Sequence, residues 1–161
     1  MLEGERRRNC SYGSGPLLIY LDTSLLVSLY APDANSAAAG AAMQSAQDTL
    51  LITPLVELEV VNALELRVFR KEITSLQAKA SSTDFAKDLQ SKVYLLRVIP
   101  EAAFECARQL SRSLTANLGT RTADLLHVAA ALELGAATLF TFDLQQRKMA
   151  EAAGLKLNPL P

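Results

Sequence analysis

The chain has no tryptophan, a single histidine (His127) and two cysteines, Cys10 and Cys106. One imidazole excludes a site built from several histidines. Two distant cysteines fit neither a CxxC pair nor a zinc spacing, and Cys106 reads as a small helix residue in a reducing compartment. Aromatic residues make up only 6% of the chain, too few for a platform that stacks bases. Neither charge is in excess: 16 Lys and Arg against 17 Asp and Glu leave a net charge of −1, with a pI near 5.9. Binding of nucleic acid through bulk positive charge is thereby excluded, so a polyanion must be met by a local basic patch or a metal ion. P-loop, HExxH and GxSxG motifs are all missing. Gly13-Ser14-Gly15 precedes the first strand instead of following it, the wrong context for a dinucleotide loop. Asp22-Thr23-Ser24 has no second carboxylate two residues on, which argues against a phosphatase with paired aspartates. A long uninterrupted hydrophobic run is also lacking. Pro16–Ala31 comes closest and follows three arginines, but Asp22 stands in its middle. A carboxylate there costs roughly 2.5–3.5 kcal/mol at a bilayer centre, and the stretch is short for a membrane span.

Half of the 161 residues are hydrophobic and a fifth are charged, with a mean hydropathy of +0.15. Disorder of the whole chain is excluded by that balance. The length suits one domain, which buries roughly 70% of its unfolded surface without disulfides or structural metal. Residues 1–16 are polar, bear Gly and Ser and lack apolar periodicity, and read as a flexible leader or an expression scar. Residues 17–161 read as the folded domain, in the cytoplasm and with no membrane segment.

Along that domain, strand and helix signals alternate. Leu17–Leu21 is a continuous apolar run, the mark of a strand buried on both faces. A helix capped by Asp22 runs to about Tyr30. Asn35–Gln47 is an Ala-rich helix and Thr49–Ile52 a second strand. Thr53-Pro54 opens a helix over Leu55–Arg70 that is apolar nearly all round and so is expected to be central. Further helices are expected over Thr74–Gln90, Glu101–Leu118, Thr122–Leu134 and Leu144–Ala153. Strands are expected over Tyr94–Ile99, Thr138–Phe142 and Leu155–Asn158. Helix-length connections force an α/β architecture: a mostly parallel sheet of four or five strands with helices on both faces. The helices over 35–47 and 74–90 have faces the sheet cannot easily cover, so at least a dimer is expected.

Ligands of such sheets bind beyond the carboxyl ends of the strands. Asp22 and Asp143 stand there, after LLIYL and TLFTF. Each is a helix N-cap or a ligand. Glu59 lies in the apolar stretch LVELEVVNAL and needs a partner, for instance a buried arginine, a proton or a metal. Glu57 is about 200° away round the helix, while Asn62 shares the side of Glu59. Asp124 opens the helix over 122–134, with Arg121 and His127 three residues to either side. His127 alone reads as a hydrogen-bonded helix histidine. If the four acids converge, like charges about 4 Å apart repel by roughly 4 kcal/mol per pair at an effective dielectric of 20. Protons or cations must then neutralise them, and an all-oxygen set suits Mg²⁺ or Mn²⁺. Arg121, Arg147 and Lys148 are the nearest basic candidates for contact with a phosphate. A doubly wound phosphotransfer domain of another kind would need a lysine near the acids, and none is suitably placed.

The segments YLDTSLLVSLY, TPLVELEVVNALELR and RTADLLHVAAALELGAATLFTFDLQQRKMAEAAGLKL resemble a PIN domain of the VapC toxin type, over about residues 17–160. The resemblance implies a three-layer PIN-like sandwich and a ribonuclease dependent on Mg²⁺ or Mn²⁺, dimeric and held inactive by a small antitoxin. It implies an acidic site of Asp22, Glu59, Asp124 and Asp143, with Thr23 and Thr141 as supporting hydroxyls. The alternative is a PIN-fold module that holds RNA or a protein partner without cutting. In the family the first strand starts closer to the first methionine than it does here.

Overall fold

Leu18–Leu21 (β1) has apolar side chains on both faces of the sheet, and in the computed structural model, which describes residues 17–160, it is the central strand. The leader expected over residues 1–16, with Cys10, lies outside the described residues. β1 pairs on one side with Thr49–Ile52 (β2) and on the other with Thr138–Phe140 (β4). Leu95–Leu96 (β3) and Lys156–Leu157 (β5) form the edges, giving the order β3-β2-β1-β4-β5 with every pairing parallel. The edge strands are shorter than their apolar runs suggest, because an edge has ladder partners on one side only. Arg97 adds one more bond, its N–H donating to Ile52 O at 3.0 Å.

Seven helices connect the strands: Thr23–Tyr30 (α1), Ser36–Ser45 (α2), Pro54–Phe69 (α3), Ser75–Gln90 (α4), Glu101–Leu110 (α5), Thr122–Glu133 (α6) and Leu144–Ala152 (α7). Local chemistry sets several ends. Thr74 and Gln77 form a reciprocal capping box at the start of α4. The helix expected to run unbroken to Leu118 widens into a π-turn over Ser111–Thr115, resumes for Ala116–Leu118 and stops at Gly119, whose φ of 64° favours glycine. The chain steps outward from β1 to β3 and then crosses back to β4 and β5. Right-handed crossovers therefore place α1–α4 on one face and α5–α7 on the other. Among the described residues no helix is long and apolar enough to cross a membrane.

One expectation about surfaces needs correction. α3 is not central. Only Val56, Val60 and Leu64 are buried, whereas Leu58 is 65% and Phe69 83% exposed, with Val61 and Leu66 also open. An all-round apolar sequence does not say which side a neighbour covers; here α1 and α4 take one side. Most of the large open apolar side chains of this layer are on α3. Among the described residues α2 exposes no large apolar side chain and α4 only Leu76.

Candidate functional site

The reversal of strand order beside β1 opens a crevice at the carboxyl ends of β1 and β4, where a doubly wound sheet receives ligands. The Asp22 N–H donates to Phe140 O at 2.9 Å, extending the ladder past the last strand residues and seating Asp22 beside Thr141. A cavity of about 580 Å³ opens there, lined by Asp22, Thr23, Ser24, Glu59, Asn62, Arg121, Asp124, His127, Asp143 and Gln146, and running on past Val27 and Leu66 to Asp33 and Arg70. All four acids thus face one space, each from a different segment. Glu57 does not line it, so the phase of α3 turns Glu59 and Asn62 to this side.

Three of the acids share one pattern. Asp22, 4% exposed, accepts on Oδ2 from the Ser24 N–H at 3.0 Å, the Ser24 hydroxyl at 2.6 Å and the Thr141 hydroxyl at 2.9 Å. Glu59 accepts on Oε2 from the Thr23 hydroxyl at 2.6 Å and from His127 Nε2 at 2.7 Å. Asp143 caps α7, taking the N–H groups of Gln145 and Gln146 on Oδ1 at 2.8 and 2.9 Å. Each carboxylate is oriented through one oxygen. Among the described residues no hydrogen-bond donor reaches the other oxygen: Asp22 Oδ1, Glu59 Oε1 or Asp143 Oδ2.

The partner of Glu59 is His127, not an arginine. His127 is buried, and its Nδ1 lies 2.9 Å from the Tyr20 hydroxyl, itself 3.1 Å from Thr53 Oγ1. Burial works to lower the imidazole pKa, but the Glu59 hydrogen bond and the charges of Asp22, Glu59 and Asp124 outweigh it and hold the ring above its usual value. Burial likewise works to raise the Glu59 carboxyl. The His127 hydrogen bond and charge, with the Thr23 hydroxyl, overcome it and leave Glu59 below the usual range. Asp124 goes the opposite way: burial and the charges of Asp143 and Asp22 push it up against the pull of Arg121. Two acids of one cavity are therefore pushed in opposite directions, Glu59 by its donors and Asp124 by burial and its neighbours.

The basic candidates separate. Arg121 is exposed at the cavity rim. Arg147 does not line the cavity; Nη1 donates to Thr141 O and Asn158 Oδ1, and Nη2 to Asn158 O. That guanidinium ties the end of β4 to the segment after β5. Lys148 is exposed on α7 away from the cavity lining. Ser24, Arg70 and Gln146, by contrast, line the cavity without having been singled out by sequence. Their positions signal it only in hindsight: Ser24 stands two residues after one strand-end aspartate and Gln146 three after the other.

Among the described residues no group of three His, Cys, Asp or Glu side chains is drawn tightly enough to hold a metal ion by itself. The donor chemistry nevertheless fits a hard cation. Three carboxylates keep an oxygen free of donors, and Gln146 Oε1 is buried with no hydrogen-bond partner. Mg²⁺ keeps several waters and needs only one or two carboxylates.

The PIN domain family model matches residues 19–152. No curated protein sequence matches the chain. Among solved structures, the chain is similar to VapC20 of Mycobacterium tuberculosis, described as a sarcin-ricin loop cleaving toxin, at 19% identity and a TM-score of 0.62 over 88% of this chain and 99% of that one. It is similar to a protein of the VapBC2 complex of Rickettsia felis, solved with promoter DNA, at 17% identity and a TM-score of 0.62 over 90% and 100%. FitAcB of Neisseria gonorrhoeae matches at 16% identity and a TM-score of 0.62 over 88% and 96%. At these identities the likeness is one of fold.

Proposed function

The chain belongs to the PIN domain family, and from that premise we propose that it is an endoribonuclease dependent on Mg²⁺ or Mn²⁺, the toxin of a type II toxin–antitoxin pair, acting in the cytoplasm. The observation that carries the reading is the shared pattern of Asp22, Glu59 and Asp143. Each is anchored through one oxygen and open at the other, in the cavity that also receives Asp124. Asp22, Asp124 and Asp143 would hold the ion, and Glu59 would complete the set or orient a water. When bound, the ion supplies charge neutralisation at a phosphodiester and a water activated at neutral pH.

The remaining work belongs to the chain's own groups. Ser24 and Thr141 aim Asp22 by giving it three donors on one side. Thr23 and His127 do the same for Glu59. Asn62 and Arg121 offer amide and guanidinium groups at the rim, where an RNA backbone enters. The partners in this reading are RNA, a cognate antitoxin and a second copy of the chain. Support for a protein partner comes from α3, which leaves Leu58, Val61, Leu66 and Phe69 open.

The test is RNA cleavage by the purified chain in Mg²⁺, Mn²⁺ or EDTA, beside Asp22→Asn checked for folding by circular dichroism. We expect cleavage that needs the metal and falls on the order of 10²–10³-fold in the variant, as when a charge-stabilising group is removed. RNA binding with no cleavage in either metal would favour the non-catalytic binding module.

A further inference from the structure

Gln146 is 1% exposed, and its Oε1 is the one buried side-chain nitrogen or oxygen atom without a hydrogen-bond partner among the described residues. Its backbone N–H caps onto Asp143 Oδ1 at 2.9 Å, and the residue lines the cavity with Asp22, Glu59, Asp124 and Asp143. An amide oxygen can only accept, as an ionised carboxylate does, and four carboxyl groups line the same cavity. The arrangement therefore holds an unmatched acceptor among acceptors, which buried polar groups ordinarily avoid. A positively charged species resolves that mismatch for all of them at once.

We propose that Gln146 supplies a neutral oxygen ligand to the divalent cation bound by the acidic cavity. This rests on the metal-dependent reading of the same site. Position favours the assignment: Gln146 lies in the first turn of α7, one helical turn from the cap Asp143, so both are set by the same helix start. Charge favours it as well. A fifth carboxylate would add an oxygen at the cost of further repulsion in a cavity that already receives four. An amide adds the oxygen without the charge.

The experiment titrates Mn²⁺ alone into the full chain, reading free Mn²⁺ by electron paramagnetic resonance, together with thermal midpoints in EDTA. Wild type, Gln146→Met and Gln146→Glu are compared. Gln146→Met keeps the length of the side chain and removes the oxygen. We expect its Mn²⁺ affinity to fall about 10–100-fold, while its midpoint in EDTA holds or rises by about 2–4 °C as the unmatched acceptor is lost. Gln146→Glu should have a lower midpoint in EDTA and bind Mn²⁺ at least as tightly as wild type. If wild type binds and Gln146→Met binds equally well, the assignment of Gln146 is overturned and the metal reading stands. A lower EDTA midpoint for Gln146→Met with unchanged affinity also overturns it, showing an amide that braces the acids through its N–H groups. No Mn²⁺ binding by wild type overturns both.

Discussion

Two of the clusters of carboxylate and hydroxyl groups among the described residues use the same bonds to different ends. Between α1, α4 and the approach to β3, the Tyr30 hydroxyl donates to Asp88 Oδ2 at 2.5 Å and lies 2.6 Å from the Tyr94 hydroxyl. Phe85 packs edge-on against Tyr30 at 5.2 Å and tilted against Tyr94 at 6.1 Å. One acid meets two phenols whose protons stay on: burial and Asp88 push both up, Tyr94 to about 12. At the carboxyl edge of β1 and β4, four acids meet short hydroxyls, backbone N–H groups and one imidazole. Every donor there falls on one side of its carboxylate. A single acid that accepts from one phenol, itself bonded to a second, inside an aromatic cluster is a brace. Several acids, each donor-bound on one side and open on the other, hold electrostatic repulsion that only a proton or a cation relieves. The difference lies in stoichiometry, not in the kind of bond.

The largest effect separating the two should come from metal. Binding to the folded state alone stabilises by RT ln(1 + [L]/Kd), about 2.7 kcal/mol at a hundredfold excess over Kd. Millimolar Mn²⁺ should then raise the wild-type thermal midpoint by roughly 5–10 °C over EDTA. Asp124→Asn removes a half-buried charge already pushed toward its proton, so its midpoint in EDTA should rise while its Mn²⁺ shift shrinks. An equal shift in both proteins would mean that the acidic cavity is not where the ion acts. The brace should respond in the opposite sense. Asp88→Asn or Tyr30→Phe removes a hydrogen bond to a charged group, worth about 1.5–3 kcal/mol, and should lower the midpoint while leaving the Mn²⁺ shift and RNA cleavage untouched. A changed metal response in Asp88→Asn would break the comparison.

How far the chain could be read beforehand follows the same division. Asp22 and Asp143 stood out because a carboxylate directly after an apolar strand run has few places to go except a strand end. Glu59 stood out because its neighbours on α3 are apolar. The parallel sheet followed from helix-length connections. What stayed hidden was everything fixed by the residue opposite in space. No spacing in the sequence pairs Glu59 with His127, 68 positions away, or Ser24 with Phe142. Gln146 looked like an ordinary polar helix residue, and only its burial without a partner marks it. Periodicity showed that α3 is apolar but not which side its neighbours leave open. The Tyr30–Asp88–Tyr94 brace likewise joins three segments whose local sequence carries no sign of the others.

The smallest effect concerns Arg147, which touches the site's scaffold but has the chemistry of the brace. Its guanidinium donates to Thr141 O and to Asn158, while the Thr141 N–H donates to Asn158 Oδ1 at 2.8 Å. Thr141 in turn presents its hydroxyl to Asp22. If Arg147 served RNA, Arg147→Ala would weaken binding to RNA and leave the fold alone. The geometry predicts the reverse. Loss of these bonds to neutral acceptors should cost on the order of 1 kcal/mol of stability, about 2–4 °C in the midpoint. RNA affinity and the Mn²⁺ shift should hold near their wild-type values. Lys148→Ala, one residue on and exposed, is the control and should change stability by no more than about 0.5 kcal/mol. Thermal melts of both variants with and without Mn²⁺, beside an RNA titration in EDTA, decide the matter. A stable Arg147→Ala with weakened RNA binding would return this arginine to the substrate and leave the Thr141–Asn158 tie without a role.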